Sequence, residues 1–222
     1  MSSNTSTVLS VLAFLGTLGL VLLALVVAVW GKTHANRALT RRGLLLAGGL
    51  AAAYLAVLFV AGAASREQVL PAGSEKYFCE LDCHLAYRVE QVAPVRTAEG
   101  GGTTWVVRVR TRFDERTISS RRSREAPLWP NPRKLELIDS NGNAHAEADT
   151  LEPVLAGGSS TPLTRELRPG ESYTTTLLFV LPAGAIPAKL SLTEDLLVNR
   201  FLIGNERSLF HRRVLLGLPA AG

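Results

Sequence analysis

Two long uncharged runs, separated by twelve residues, restrict this chain more than any other feature of its sequence. Residues 8–30 read VLSVLAFLGTLGLVLLALVVAVW and residues 43–64 read GLLLAGGLAAAYLAVLFVAGAA. Each is long enough for a helix to cross a hydrocarbon core, which takes about 20 residues. The opening MSSNTST lacks the Lys or Arg of a signal-peptide n-region, and the run after it exceeds an h-region of roughly 7 to 15 residues, so a retained helix is expected rather than a cleaved leader. Gly48 and Gly49, among several alanines, let another helix approach closely. They are expected to face the first helix, with a partner subunit as the alternative.

The formal net charge of +5 invites a nucleic-acid reading, but its distribution argues against one. No charge falls in residues 1–31, and Lys32, Arg37, Arg41 and Arg42 crowd into the short connection GKTHANRALTRR. Beyond residue 64 the remaining basic residues nearly balance the 19 acidic ones. The excess is therefore a topology signal: cations in a short loop hold it in the cytoplasm, which puts the N-terminus and everything after Ala64 outside. The expected partners are the lipid bilayer and a protein of the membrane or envelope, and not nucleic acid.

After Ser65 the apolar runs shorten to strand length and begin to alternate. In 84–92 (HLAYRVEQV), Leu85, Tyr87, Val89 and Gln91 share one face. In 105–113 (WVVRVRTRF), Trp105, Val107, Val109 and Thr111 point one way, and Arg108, Arg110 and Arg112 form a solvated face. Further strands are expected at 134–138, 173–181 and 189–192, punctuated by Asn141-Gly142, Pro169-Gly170 and Pro182-Ala183-Gly184. Residues 196–203 and 208–216 suggest a closing hairpin around Gly204-Asn205, with a short helix over 209–216 as the alternative. Loops are expected at 97–103, with its Gly100-Gly101-Gly102 run, and at 115–132. The second loop carries Arg121, Arg122, Arg124 and Trp129, which could meet a partner's acidic surface or lipid headgroups, or simply be solvated.

This pattern predicts a membrane α-hairpin of two transmembrane helices followed by an all-β antiparallel sandwich of immunoglobulin-like architecture. The divisions are 1–64 for the anchor, 65–83 for a linker and 84–222 for the sandwich. Leu135-Glu-Leu-Ile-Asp139-Ser-Asn-Gly142, Leu167-Arg-Pro169-Gly170-Glu171 and Leu177-Leu-Phe179-Val-Leu-Pro182 resemble the bacterial extracytoplasmic immunoglobulin-like domains of unknown function. The resemblance covers roughly residues 84–193 and implies a fold but no activity. With the hairpin it implies a bacterial plasma membrane location, the domain on the periplasmic side.

One segment has the density of a chemical site. Lys76-Tyr-Phe-Cys79-Glu-Leu-Asp-Cys83-His84 gathers two thiols, an imidazole and two carboxylates. The preferred reading is a disulfide, which requires a turn because an extended strand would part the Cα atoms by about 13 Å. Three alternatives use the same residues. Cys79-x-x-x-Cys83-His84 resembles a lengthened c-type haem attachment site, with His145 or His211 as second axial ligand because Met1 is the only methionine. A thiol pair behind a two-helix hairpin resembles the copper-bearing subunit II of cytochrome oxidase, but here the pair opens the domain and the methionine is missing. Zinc could be held by both thiolates, His84 and a remote histidine if a helical turn brings the sulfurs together. Serines in polar loops without a G-x-S-x-G setting give no hydrolase signal. The chain is therefore expected to be a non-enzymatic, cofactor-free interaction module, of the kind that serves as accessory subunit of a membrane complex, with an electron-transfer or metal-binding subunit as the alternative.

Overall fold

The computed structural model describes residues 3–80, 83–97, 102–148, 160–194 and 196–220. They fall into two compact units, each discontinuous in sequence. The first comprises Met1–Arg66 and Leu196–Arg212, the second Glu67–Asp195 and Arg213–Gly222.

In the first unit, α1 (Ser3–Thr33) and α2 (Arg37–Ala64) form an antiparallel hairpin. The chain reverses at Ala35, which takes a positive φ of 52°, and Asn36 caps α2 by accepting a hydrogen bond from Leu39 N at 3.0 Å. The helices meet along small residues. Ala24, Ala28 and Ala47 are buried, and a Cβ on Gly43 would stand 2.8 Å from both Ala24 O and Ala28 N. Gly48 and Gly49 are not part of this seam: a Cβ on either would meet nothing within 4 Å. The expected packing pair is thus rotated off the seam, which runs through Gly43 and Ala47, because the one or two residues after Ala47 turn to another face of the helix. Outside the seam both helices are lined with exposed apolar side chains, from Leu9 and Leu23 to Leu45 and Val60.

Residues 196–212 return to this hairpin. The expected β-hairpin is replaced here by a 3-10 turn, Leu197–Phe201, and a series of tight turns. The apolar residues that suggested strands pack on helices instead: Phe201 stacks on Phe14 at 6.4 Å and Phe210 meets Phe59 edge-on at 5.5 Å.

The second unit holds nine strands among the described residues, in two sheets. They are β1 (Gln68–Leu70), β2 (Lys76–Glu80), β3 (Cys83–Thr97), β4 (Thr103–Asp114), β5 (Arg133–Asp139), β6 (Ala144–Ala146), β7 (Ser172–Leu181), β8 (Pro187–Glu194) and β9 (Val214–Gly217). One sheet runs β2-β3-β4-β7, the other β1-β9-β8-β5-β6, antiparallel except where β1 pairs with β9. Leu85, Tyr87, Val107, Val109 and Phe179 of the first sheet share one apolar core with Leu135, Leu137, Leu190, Leu192 and Leu216 of the second. Burying a side chain of this size is worth about 1.5–3 kcal/mol.

In β4 Trp105, Val107, Val109 and Thr111 are buried and Arg108 is exposed, as the sequence suggests, but Val106, expected on the outward face with the arginines, is buried as well. In β3 a bulge between Val89 and Gln91 shifts the phase by one residue. Val92 therefore enters the core and Gln91, expected inside, lies exposed. The β5–β6 turn is built on Asp139, whose Oδ1 accepts from the backbone N of Asn141 and Asn143, both at 2.9 Å. Gly142 takes the positive φ of 87° that this turn requires. Residues 65–83, expected as a linker, contain two strands, because the short β1 and the mixed KYFCE carry too weak a pattern to be read alone. In the expected 97–103 loop, residues 98–101 lie outside the described ones, and Thr97 and Thr103 already belong to β3 and β4.

Candidate functional site

The thiol segment is divided between two paired strands. Lys76–Glu80 and the start of β3 are the arms of a tight antiparallel hairpin, in which Cys79 pairs with His84 and Cys83 pairs with Glu80. The cysteines are not ladder partners, and this register does not support the disulfide. Nor does it supply the helical turn invoked for zinc. The side chains of Cys79 and Cys83, with residues 81 and 82, lie outside the described ones. The remote histidines have other engagements: His145 Nε2 is 3.0 Å from Asp139 Oδ2, and His211 Nδ1 is 2.7 Å from Arg212 O.

His84 instead borders a polar network that the sequence pattern did not isolate. Its backbone N donates to Thr117 Oγ1 at 3.0 Å, Thr117 donates to Asp114 O at 2.8 Å, and its ring meets Tyr77 edge-on at 6.2 Å. Burial pushes the imidazole below its ordinary value, against the opposing pull of the Asp114 charge. Arg112 grips Glu75 bidentately, at 3.1 and 2.7 Å, and reaches Asp114 at 3.4 Å. Tyr77 donates to Glu75 at 2.8 Å, and Arg116 holds both oxygens of Asp114 at 3.1 and 3.2 Å. The Arg116 hydrogen bond is the chief cause that keeps the Asp114 carboxyl well below the usual carboxylate range, and the Arg112 hydrogen bond is the chief cause that lowers Glu75. Farther along the same sheet Arg88 and Arg110 share Glu90, at 3.1 and 3.7 Å. Arg88, Arg110 and Arg112 are thus matched to acids nearby, and exposed pairs of this kind contribute about 0.2–1 kcal/mol each.

A second polar group is buried. Lys76, 7% exposed, donates from Nζ to Leu192 O at 2.6 Å and Val214 O at 2.8 Å, so a strand of one sheet is tied to two strands of the other. The Arg133 side chain, fully buried, meets Glu194 at 3.0 Å and donates to Tyr87 OH at 3.2 Å. Its guanidinium lies 4.3 Å from the Phe78 ring centroid and 5.2 Å from that of Tyr87. Sequence reasoning passed over both cations because an inward Lys or Arg is indistinguishable from a solvated one when only polarity is read.

The 115–132 loop divides its residues between scaffold and surface. Arg122 donates from Nη2 to Pro127 O at 2.9 Å and lies over the Phe113 ring, so it supports the loop. Arg121 and Arg124 are exposed. Leu128 is buried and locked to Leu167 by reciprocal backbone hydrogen bonds of 2.8 and 3.0 Å. Its neighbour Trp129, 65% exposed, is therefore displayed from fixed backbone.

No protein-family model matches the chain, and no curated protein matches it. Among solved structures it is similar to MPT63, a secreted protein of Mycobacterium tuberculosis, at 11% identity and a TM-score of 0.44, over 69% of this chain and 99% of that one. A conserved hypothetical protein of Bacillus anthracis is similar at 18% identity and a TM-score of 0.35, over 55% and 88% of the two chains. A putative lipoprotein of Bacillus subtilis is similar at 14% identity and a TM-score of 0.35, over 57% and 35%.

Proposed function

We propose that this chain is a membrane-anchored, non-enzymatic binding module. Its two helices cross a bacterial plasma membrane, the turn carrying Lys32, Arg37, Arg41 and Arg42 lies in the cytoplasm, and the β unit meets a protein partner on the extracytoplasmic side. The observation that carries this reading is the exposure of the helices' apolar side chains. Leu9, Leu23, Leu45 and Val60 are 60%, 60%, 64% and 69% exposed, and nothing described in the chain covers them. A continuous apolar surface of this kind is stable in lipid and not in water. The four cations in so short a connection support the orientation.

The strand order supports an immunoglobulin-like sandwich. β5, β8 and β9 correspond to the C, F and G strands of that architecture, with β6 beside C, and β4 pairs with β7 as B does with E. Recognition is assigned to Trp129 with Arg121 and Arg124. An exposed indole and two exposed arginines in one loop have the composition of interface hot spots, and the fixed backbone beside Trp129 lowers the entropy cost of binding.

The test has two steps. The full chain should resist alkaline extraction from membranes, and protease added to intact spheroplasts should digest the β unit while sparing the cytoplasmic turn. A chain that washes off, or a β unit cleaved only after lysis, would refute the anchor or its orientation. In-cell crosslinking should then capture a protein that is lost in Trp129→Ala with the melting temperature unchanged; capture undiminished by Trp129→Ala removes the loop from the reading.

A further inference from the structure

We infer that residues 196–212 form a wedge seated in the acyl region of the outer leaflet, a third membrane-embedded element that hydropathy alone does not reveal. The inference rests on the anchor reading of the helices and adds a lipid-binding surface to it.

Depth is fixed by the helix residues that the segment touches. Tyr54 OH donates to Phe201 O at 2.6 Å, Ser10 Oγ donates to Ile203 O at 2.6 Å, and Phe14 stacks on Phe201. Phe14 lies six residues inside the apolar run that opens at Val8, and Tyr54 ten residues inside the run that ends at Ala64. At 1.5 Å per residue the contacts on Ser10, Phe14 and Tyr54 lie about 3, 9 and 15 Å below the ends of those runs, so the turn slopes through the leaflet. One leaflet of a roughly 30 Å hydrocarbon core is about 15 Å deep. The later part of the segment lies shallower: Phe210 meets Phe59, a Cβ on Gly62 would overlap Leu209 O, and Arg212 N donates to Ser65 Oγ at 2.6 Å.

Irregular backbone is stable at such depth only when its polar groups are satisfied. Here the carbonyls of Phe201 and Ile203 take hydrogen bonds from Tyr54 and Ser10, two of the few polar side chains in the apolar runs. Within the segment Asn199 N donates to Leu196 O, Asn205 N to Leu202 O, Ser208 N to Asn205 O and Leu209 N to Arg200 O. Apolar side chains then face outward: Leu197 is 70% exposed, Phe210 71%, Val198 44%, Phe201 40% and Leu209 39%. They extend the uncovered apolar surface of the helices, which is why acyl chains and not a protein are the occupant. Arg200, exposed, and Arg207, half-buried, have stems long enough to carry their guanidinium groups to the headgroups.

The test is photocrosslinking of the full chain in vesicles of phosphatidylethanolamine and phosphatidylglycerol. p-Benzoylphenylalanine replaces Leu197 or Phe210, or, as the span control, Leu18, which is 44% exposed. Lipid adducts at positions 197 and 210, in yield comparable to that at 18, are expected. Adducts at 18 with none at 197 and 210, or with protein adducts there instead, overturn the wedge and leave the anchor standing. Loss of lipid adducts at 18 as well would remove the anchor reading itself, and the wedge with it.

Discussion

Replacing Arg133 separates a structural cation from an incidental one. Its side chain is fully buried against Phe78 and Tyr87 and paired with Glu194, which keeps 17% exposure. Truncation to alanine removes the stacking and takes a charged partner from the Tyr87 hydroxyl and from the Glu194 carboxylate. Removing one member of a buried pair costs about 3–5 kcal/mol, and the partial hydration of Glu194 places this case near 3. For a unit of this size that is a fall in melting temperature of roughly 10 °C. Arg133→Met keeps the aliphatic stem over Phe78 and should cost less, about 1–2 kcal/mol. The assay is thermal and denaturant unfolding of the full chain in detergent, followed by near-ultraviolet circular dichroism, to which the buried Trp105 and Tyr87 contribute. Loss below about 0.5 kcal/mol for Arg133→Ala, the range of an ordinary surface change, would refute the reasoning, as would Met proving costlier than Ala.

Gly43→Leu should pry the helices apart, because even its Cβ would stand 2.8 Å from the α1 backbone, whereas Gly48→Leu has open space; electron-paramagnetic distances between labels on the two helices should lengthen only in the first. Asp139 is held down to about 2 by its hydrogen bond from His145 and those from Asn143 and Asn141, against an ordinary 3.8. A depressed carboxylate stabilises the fold above its unfolded value and loses that contribution as pH falls, so the melting temperature should drop between about pH 4 and 2, less steeply in Asp139→Asn. Glu75 and Asp114, also depressed, should keep part of the acid sensitivity in that variant.

What could be read from the sequence, and what could not, follows from how each residue is used. The inward faces of β3 and β4 were legible up to Val89, because alternation records burial when one side of a strand is wet. At the bulge the period breaks, and only the awkwardness of burying Gln91 hinted at it. Lys76 and Arg133 were illegible because their burial depends on carbonyls and rings contributed by distant strands. For the same reason Glu75, Tyr77 and Asp114 stood as unrelated residues until β2 and β4 placed them side by side. Trp129 was visible as a loop residue, but its fixed presentation depends on Leu167, far along the chain. The run LLVNRFLI was misread as strand because its apolar residues meet helices, and a short apolar run does not say which surface will cover it.

The chain enters the β unit at Glu67, returns to the helical unit at Leu196 and leaves it again at Arg213. β9 lies between β8 and β1, and β1 has β9 as its ladder partner, so the first strand made must wait for the last. During synthesis the sheet of β1, β9, β8, β5 and β6 stays open between β1 and β8 until residue 217 has been made. A nascent chain stalled before that point carries two unpaired strand edges, one on β1 and one on β8. Those edges, ready to pair with any other free strand, set it apart from the finished protein.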